Sequence, residues 1–370
     1  MAEYYTNSIN RSKKRKKRVY SGKSFILFIL DIVVTLAMLL LIFSTITAIV
    51  CQYISPEKSG VLSVISIGAP IIYLFDIVVM FYWVVRWRWY RAVAMMAVVV
   101  LGLFYLSRYY KIDVDRHYNT SFSERNYTKI MTFNVLEGKD KGLVRYIDSH
   151  NPDILCLQEM SNVDNVTVLC DKYKSTKEEG DSAVHNHIFS RYRILRSGAI
   201  EGLPRRNGVW ADLRVKEDTV RVVSLHLQST SIRPEDTQFL EKHEYILDSE
   251  RENKLRSIVK RLSDNNSKRA VQAECVADFL KKSPYKTIVC GDFNDVPLSY
   301  TYNSIARGLN DTFSERAEGF AYTYDTKYHL LRIDNILVSP SIEVVSYEVD
   351  NEVDLSDHYP VISRVKFSKQ

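Results

Sequence analysis

The segment 288–297, IVCGDFNDVP, places polar side chains directly after a short apolar run. Its first three residues are typical of a buried strand, and Asp292 and Asn294 follow at the end of that strand. Gly, Asp, Asn and Pro are also ordinary turn formers, so this segment alone does not distinguish a catalytic site from a turn. Carboxylate and amide oxygens at a strand end would bind a hard divalent cation such as Mg²⁺ if other polar groups met them there.

Other apolar runs also end in, or contain, polar groups that are poorly suited to burial. They are Asn134 after IMTF, Glu159 after ILCLQ, His226 within VVSLHL, Asp334 within LRIDNIL, and Asp357 with His358 before YPVI. Each has an ordinary explanation when taken alone, such as a turn or a hydrogen-bonded core histidine. Together they match what phosphate-ester hydrolysis requires: oxygen ligands for a cation, a histidine oriented by a carboxylate, and a second histidine that stabilises developing charge.

The five cysteines add neither a zinc site nor an obvious disulfide framework. Their spacing matches no zinc motif, and Cys156 and Cys290 lie within apolar, strand-like runs. We therefore interpret them as small buried side chains.

Strand-like and helix-like segments alternate beyond residue 127, and these are the elements that must position the polar groups. The predicted strands cover 128–135, 151–160, 185–192, 209–215, 219–229, the run that begins at 288, 331–340 and 358–367. Helical spacing appears over 141–150 and in the charged regions 246–263 and 267–283. Many strands with a few interspersed helices predict an α/β fold in which two sheets pack together with helices outside.

The ordered motifs TFNV, LQE, IFSRY, SLHL, GDFN, RIDNIL and SDHYP resemble those of the endonuclease/exonuclease/phosphatase superfamily. The resemblance extends from about Lys129 to Phe367 and implies the four-layer α/β/β/α sandwich of deoxyribonuclease I. It also implies a metal-dependent phosphoric ester hydrolase. The continuation of GDFN as DVPLSYTY is similar to lipid and small-molecule phosphodiesterases and to membrane-anchored bacterial members. Together with His226, it argues against abasic-site repair.

The same resemblance implies the metal ligands. Glu159 is expected to be the principal ligand, with Asn134 beside it and Asp357 completing the metal side. The expected cofactor is Mg²⁺, with Mn²⁺ as the alternative, and the number of metal ions is left open.

The remaining motif residues are expected to act on the phosphate and the attacking water. His358 is expected beside the scissile phosphate and oriented by Asp334, while His226 would hydrogen-bond the phosphoryl group. Asp292 would orient or deprotonate the water, and Asn294 would hold a phosphate oxygen. The sequence does not decide whether Asp292 or His358 is the general base.

Three apolar runs precede the motifs, at 25–50, 61–85 and about 92–106, and predict three transmembrane helices. Basic residues in RSKKRKKR (11–18) and RWRWYR (86–91) place the N-terminus in the cytoplasm and the chain after residue 106 outside it. A cleaved signal peptide is the alternative for the first run, which is long for one. The predicted organisation is a basic tail (1–24), an anchor (25–106), a connector (107–126) and a periplasmic catalytic domain (127–370) on a bacterial inner membrane.

Charge distribution bears on the substrate. Residues 1–126 carry a net charge of +9 and residues 127–370 a net charge of −3, so the basic balance of the chain belongs to the membrane segment. A nuclease would need attraction to the phosphate backbone. This slightly favours a lipid or small-molecule phosphate ester, with a DNA or RNA nuclease as the alternative.

Two further functions stay open at this point. A non-catalytic binding module on the same fold would be expected to lack some of the acidic and histidine residues, and all are present here. A transporter or sensor role would use Asp31 and Asp76, which lie in apolar runs, but three helices are few for a transport path.

Overall fold

The computed structural model describes residues 22–111, 127–176, 185–230, 235–236, 239, 248–326 and 329–367. Most of the predicted N-terminal tail, with its basic motif, and most of the predicted connector lie outside the described residues. Four helices come first: α1 (Gly22–Cys51), α2 (Gly60–Ile67), α3 (Ala69–Val85) and α4 (Trp89–Leu106). α1, α3 and α4 pack on one another through a small apolar core that includes Met38, Trp83 and Met95.

The prediction of three transmembrane helices needs correction. Among the described residues, only the stretch Phe25–Cys51 is long and apolar enough to cross a membrane. The predicted second span is divided at Gly68, because α2 packs against the domain that follows residue 127 and leaves the shorter α3. The apolar part of α4, Trp89–Leu103, is also short. Hydropathy alone did not separate membrane-facing residues from apolar residues that pack on the domain.

The remaining elements follow in chain order. They are β1 (Tyr110–Lys111), β2 (Thr128–Glu137), α5 (Leu143–His150), β3 (Ile154–Met160), α6 (Val163–Lys172), β4 (Lys174–Ser175), β5 (His187–Ser190), β6 (Arg193–Ala199), β7 (Gly208–Val215), β8 (Asp218–His226), α7 (Asp248–Lys281), β9 (Lys286–Asp292), α8 (Tyr300–Ile305), β10 (Asn310–Asp311), α9 (Thr312–Arg316), β11 (Gly319–Phe320), β12 (Asp334–Val338), β13 (Ile342–Val349) and β14 (Val361–Phe367). The two charged regions predicted as helical form the single helix α7.

Two six-stranded sheets dominate the domain. The β2 sheet has the order β13-β14-β2-β3-β5-β4, and the β9 sheet has the order β10-β12-β9-β8-β7-β6. Each sheet contains one parallel pair, β2 with β3 and β8 with β9, while its other described pairs are antiparallel. Parallel neighbours end at the same edge of a sheet, so each sheet brings two strand ends together.

Side-chain alternation produces four layers. Ile130, Cys156, Ile288 and Cys290 belong to the apolar core between the two sheets. On the outer face of the β2 sheet, apolar side chains pack with α5 and α6, and on the outer face of the β9 sheet they pack with α7 and α8. The predicted α/β/β/α arrangement agrees with this layering. Cys156 and Cys290 are free and buried, as interpreted from the sequence.

The first residues of the predicted connector belong to the folded structure. β1 pairs with β11, and Tyr109 is buried with Val296 and Leu298 of the two-sheet domain. The end of α4 is therefore joined to the domain by packing as well as by the chain.

Candidate active site

Four of the predicted site residues continue the inward face of their strands. Side chains alternate along a strand, so a residue two positions from a core residue points to the same face. The core residues Ile130, Val222, Ile288 and Ile336 face the opposite sheet, and the same alternation brings Asn134, His226, Asp292 and Asp334 to the strand ends between the sheets. We call this end of the sandwich the polar edge.

Close approach of β8 and β9 depends on a glycine beside the site. Gly291 has a φ of +127°, and a Cβ atom built on it would lie 2.0 Å from the carbonyl oxygen of Leu225. Only glycine fits between these two backbones. The glycine of the GDFN motif therefore permits the parallel pairing that sets His226 beside Asp292.

Asp292 is the most heavily contacted carboxylate of the polar edge, and only 1% of it is exposed. Its Oδ1 accepts from the Asn294 backbone N–H at 2.7 Å, and its Oδ2 accepts from the side-chain amides of Asn294 at 2.9 Å and Asn134 at 3.1 Å. His226 Nε2 and His358 Nε2 lie 3.9 and 3.8 Å from the same oxygen. Asp292 therefore joins the two histidines, which come from opposite sheets.

Glu159 reaches the polar edge by a different route. The preceding Leu157 packs on the outer face with the helices, so simple alternation would direct Glu159 outward as well. Its φ of +56° interrupts the alternation and turns the carboxylate inward. Its Oε1 accepts from Asn134 Nδ2 at 3.0 Å and lies 3.3 Å from His226 Nε2.

Glu159 and His226 shift each other's pKa. The hydrogen bond with His226, aided by the one from Asn134, outweighs burial and lowers the pKa of Glu159 to about 2. Burial opposes protonation of His226, but Glu159 and the charge of Asp292 overcome it and raise the pKa of His226. Glu159 is thus an ionised carboxylate, and its side chain keeps about a third of its surface exposed (34%).

His358 and Asp334 form the predicted pair. His358 Nδ1 lies 2.9 Å from Asp334 Oδ2, and both residues are almost fully buried. Burial opposes the imidazolium, yet the charges of Asp334 and Asp292 raise the pKa of His358 to about 10. The histidine is therefore protonated at neutral pH, with Nδ1–H donating to Asp334.

Asp357 lies next to the site with fewer contacts than the other predicted residues. Its Oδ1 accepts from Ser356 Oγ at 3.3 Å, and its backbone carbonyl accepts from the Asp325 N–H at 2.8 Å. Ser356 Oγ also lies 2.8 Å from the backbone oxygen of Asn134, which ties this turn to β2. Among the contacts of the described residues, none joins the Asp357 side chain to Glu159.

The chemistry of the donor set fits a hard divalent cation. Glu159 is ionised and partly exposed, and the Asn134 amide beside it offers an oxygen donor of the kind that Mg²⁺ prefers. Within the described part of the chain, Asp292, Asp334 and His358 also form a group whose potential ligand atoms lie within 4.8 Å of one another. That group is buried and its histidine is bonded to Asp334, which leaves little space for the waters that Mg²⁺ retains.

Some residues that support the site were not predicted from the sequence. Tyr324 forms a β-bridge with His358, and the two rings lie 4.8 Å apart. Thr323 Oγ1 accepts from the backbone N–H of Asp334 at 3.0 Å, which fixes the start of β12. Beneath the site, Gln158 donates to Ser224 Oγ at 3.0 Å across the two sheets. Period-two alternation would have placed Gln158 and Ser224 inward, whereas no sequence signal marks Tyr324.

Comparisons with known proteins follow the same division of the chain. A family model described as "Endonuclease/Exonuclease/phosphatase family" matches residues 131–358, and a model described as a domain of unknown function, DUF8431, matches residues 25–109. No curated protein sequence matches the chain. The first match therefore covers the sandwich from β2 to His358, and the second covers the helices from α1 to the end of α4.

Several solved structures are similar in fold. A humanised D. rerio TDP2 with 14 mutations is 20% identical, with a TM-score of 0.47, and the match covers 65% of this chain and 99% of that chain. The 3′ phosphatase NExo from Neisseria, bound to a product DNA hairpin, is 22% identical (TM-score 0.46; 65% and 100% covered). An AP endonuclease from Archaeoglobus fulgidus is 16% identical (TM-score 0.46; 64% and 98% covered).

Proposed function

Because the chain belongs to the endonuclease/exonuclease/phosphatase family, we propose that it is a Mg²⁺-dependent hydrolase of phosphate esters, held at a membrane by α1 with its catalytic domain outside the cytoplasm. One observation carries the hydrolase proposal. Seven predicted residues from both sheets meet in one connected cluster at the polar edge: Asn134, Glu159, His226, Asp292, Asn294, Asp334 and His358. A binding module would not need two histidines that both face one carboxylate.

The residues divide into two functions around the phosphate. The protonated His358, held by Asp334, would donate to a phosphoryl oxygen and stabilise the negative charge that develops there. Asp292, an acceptor with two histidines beside it, is the better-placed group to orient the attacking water and accept its proton. This assigns the general base to Asp292, a choice that the sequence left open. His226 and Asn294 would hold further phosphate oxygens.

Glu159, Asn134 and Asp357 would hold the cation. A bound Mg²⁺ would polarise the phosphoryl group and neutralise charge on its oxygens. Asn134 bonds both Glu159 and Asp292, and His358 Nε2 lies 3.8 Å from the same Asp292 oxygen, so the cation and the imidazolium would both act on a phosphate bound beside Asp292.

We expect hydrolysis to require an added divalent cation. The full chain in detergent should cleave bis(4-nitrophenyl) phosphate or 4-nitrophenyl phosphate with Mg²⁺ or Mn²⁺, lose that activity in EDTA and regain it when excess Mg²⁺ is restored. Release of 4-nitrophenol measures the rate. Undiminished hydrolysis in EDTA would contradict the metal assignment.

The pH profile should distinguish the two functions of His358. An imidazolium that stabilises charge is lost as pH rises through its pKa of about 10, so turnover should hold at neutral pH and fall on the alkaline side. Asp334→Asn removes a charge that raises this pKa, so the alkaline fall should move to lower pH. If His358 were the general base, the enzyme would instead lose activity as pH decreases. A profile of that kind would show that His358, and not Asp292, is the general base.

Contacts between α1 and the following helices support an anchor over a cleaved signal peptide. Asp31 of α1 accepts two hydrogen bonds from Arg86 at 2.9 and 3.0 Å and one from Tyr82 at 2.8 Å. Further along α1, Thr45 Oγ1 donates to the buried Asp76 at 2.6 Å. Cleavage of α1 would leave Asp76 and Arg86 without these partners. The same bonds give Asp31 and Asp76, the carboxylates of the apolar runs, a structural explanation and do not require a transport role.

We expect the domain to be accessible from outside the cytoplasm. The basic motif at 11–18 favours a cytoplasmic N-terminus, and the domain packs at the Cys51 end of α1. Protease added to spheroplasts of a bacterial expression host should digest the domain and spare an N-terminal epitope tag. Protection of the domain, with digestion only after lysis, would place it in the cytoplasm.

A further inference from the structure

The helices of the anchor contact the catalytic domain at the polar edge. Val296 and Leu298 lie in the segment that leaves β9 just after Asn294, and they pack with Ala48 of α1 and Ala69 of α3. Ala48 lies one turn before the end of the apolar stretch that closes at Cys51. The segment that carries Asp292 and Asn294 therefore continues directly into the contact with the anchor.

A second contact joins the anchor to the start of β12, the strand that begins with Asp334. Arg332 precedes β12, and its guanidinium donates to the backbone oxygen of Arg108 at 3.2 Å. Arg108 Nη1 donates in turn to the backbone oxygen of Pro297 at 3.0 Å. The chain just after α4 is therefore bonded both to the segment that leads into β12 and to the segment that leaves β9.

The third contact between the anchor and the domain is made by α7. Its position relative to the polar edge follows from its contacts with the chain after β8. The chain just after β8 meets α7 at Gln228, whose N–H donates to Gln272 at 2.8 Å and whose carbonyl accepts from Arg269 at 2.5 Å. Ala273 and Val276, further along α7, pack over the β9 sheet. The part of α7 before Arg269 therefore extends past the edge.

The extending part of α7 carries both the contact with the anchor and several cationic side chains, of which Arg256 pairs with Glu252 and Arg261 pairs with Asp236. Asn266 donates to Ser63 of α2 at 2.6 Å, and Ser267 Oγ donates to the backbone oxygen of Pro56 at 3.1 Å. The neighbouring face lines an open groove, to which Arg256, Lys260, Arg261 and Lys268 contribute cationic side chains and Asp264 a carboxylate. Lys260 and Lys268 are exposed on the helix that contacts α2, where they could attract anionic lipid headgroups.

From these contacts we infer that the active site opens toward the bilayer surface, and that its substrate is a phosphate ester carried by a membrane lipid. The inference rests on the proposed hydrolase function and narrows its substrate. In the reaction, water adds to phosphorus, the P–O bond to the leaving group breaks, and the leaving oxygen gains the proton. A soluble phosphate ester offers the same chemistry, but it would not need a site opening beside the end of α1.

The test compares lipids with their soluble counterparts on the full chain reconstituted in phosphatidylcholine vesicles with Mg²⁺. Vesicles would contain either phosphatidic acid or phosphatidylglycerol, and the soluble arms would be glycerol 3-phosphate, bis(4-nitrophenyl) phosphate and a single-stranded oligonucleotide. We expect one of the two lipids to be cleaved at least about 10²-fold faster than any soluble ester at equal bulk concentration, since enzyme and lipid share one surface. Glu159→Gln should abolish the activity in every arm.

Failure of the inference and failure of the function give different results. Glu159-dependent cleavage of the oligonucleotide or a soluble diester, with both lipids intact, would overturn the lipid inference and leave the hydrolase function standing. Loss of every activity in the folded wild-type protein would contradict the hydrolase function itself.

Docking on the anchor can be tested in the same assay. A Cβ on Gly60 would lie 1.8 Å from Ser263 Oγ and 2.9 Å from Ser263 Cβ, so Gly60→Leu should push α2 off α7. At Gly68 the nearest atom is 3.6 Å away, which makes Gly68→Ala a matched control. Gly60→Leu should lower the rate of lipid cleavage about tenfold or more, which is a loss of about 1.4 kcal/mol in transition-state stabilisation. The rate of bis(4-nitrophenyl) phosphate hydrolysis should stay unchanged. Ser63→Ala, which removes the bond from Asn266 and the bond from Ser63 Oγ to the Gly60 backbone oxygen, is a milder second variant, and unchanged lipid cleavage in both would contradict the inference.

Discussion

Glu159→Gln is expected to reduce turnover by about 10³-fold or more while the domain stays folded, because a metal ion supplies several kcal/mol of charge stabilisation and each 1.36 kcal/mol is a factor of ten. The substitution keeps the shape of the side chain and removes the charge that would hold the cation. Since the pKa of Glu159 is about 2, the wild-type carboxylate is ionised across the working pH range, and a change of pH should not rescue the variant.

A readout independent of activity should accompany this measurement. Mg²⁺ should raise the melting temperature of the wild-type domain, because a cation that binds the folded state stabilises it, and Glu159→Gln should lose most of that shift. Glu217→Gln is the matched control, since Glu217 lies on the β7–β8 hairpin with 99% of its side chain exposed. Full turnover and an unchanged Mg²⁺ response in Glu159→Gln would show that the metal is held elsewhere, with the buried group around Asp334 as the next candidate.

Much of the site could be predicted because its residues follow strand periodicity. In β9 the inward positions 288, 290 and 292 run from core residues to a carboxylate, and β2 and β8 also end in a polar residue, whereas the antiparallel β12 begins with its carboxylate. A polar residue that continues an inward apolar face must meet other polar groups or remain unsatisfied. The alternation within each strand therefore predicts that Asn134, His226, Asp292 and Asp334 face inward and meet.

Glu159 shows where this reasoning stops. Its place in the sequence predicts an outward side chain, and its turn inward depends on a positive φ that no residue type at this position signals. The strands β6 and β13 were missed for another reason. Each lies at an edge of its sheet and is partly exposed, so the apolar pattern that identifies central strands is weak.

The membrane segment was overpredicted because apolar residues serve two purposes in it. Hydropathy treats the run 61–85 as one span, yet α2 uses its side chains against α7, and Gly68 separates it from α3. Contacts between sequence-distant elements, such as Asn266 with Ser63, decide this outcome and leave no local signal. The same contacts support the lipid inference, which the sequence only slightly favoured.

The His358–Asp334 pair should behave as one unit in a double-mutant cycle. Asp334→Asn and His358→Ala are each expected to lower turnover by about 10²–10⁴-fold, the usual contribution of one acid–base participant. The double variant should lose less than the product of the two single losses, because Asp334 acts only through the imidazole that it orients and charges. The 2.9 Å contact and the raised pKa of His358 are the physical basis for that coupling.

The cycle also separates positioning from binding. Asp334 is buried behind His358 and has 0% exposure, so its loss should lower kcat and leave KM nearly unchanged. Tyr324→Phe is a useful comparison, because it keeps the ring beside His358 without altering the charge of the imidazole. Losses that multiply fully in the double variant would show that the two residues act independently. In that case Asp334 would have to contribute directly, for example as a ligand in the group it forms with Asp292 and His358, and charge stabilisation by an oriented imidazolium would no longer explain this half of the site.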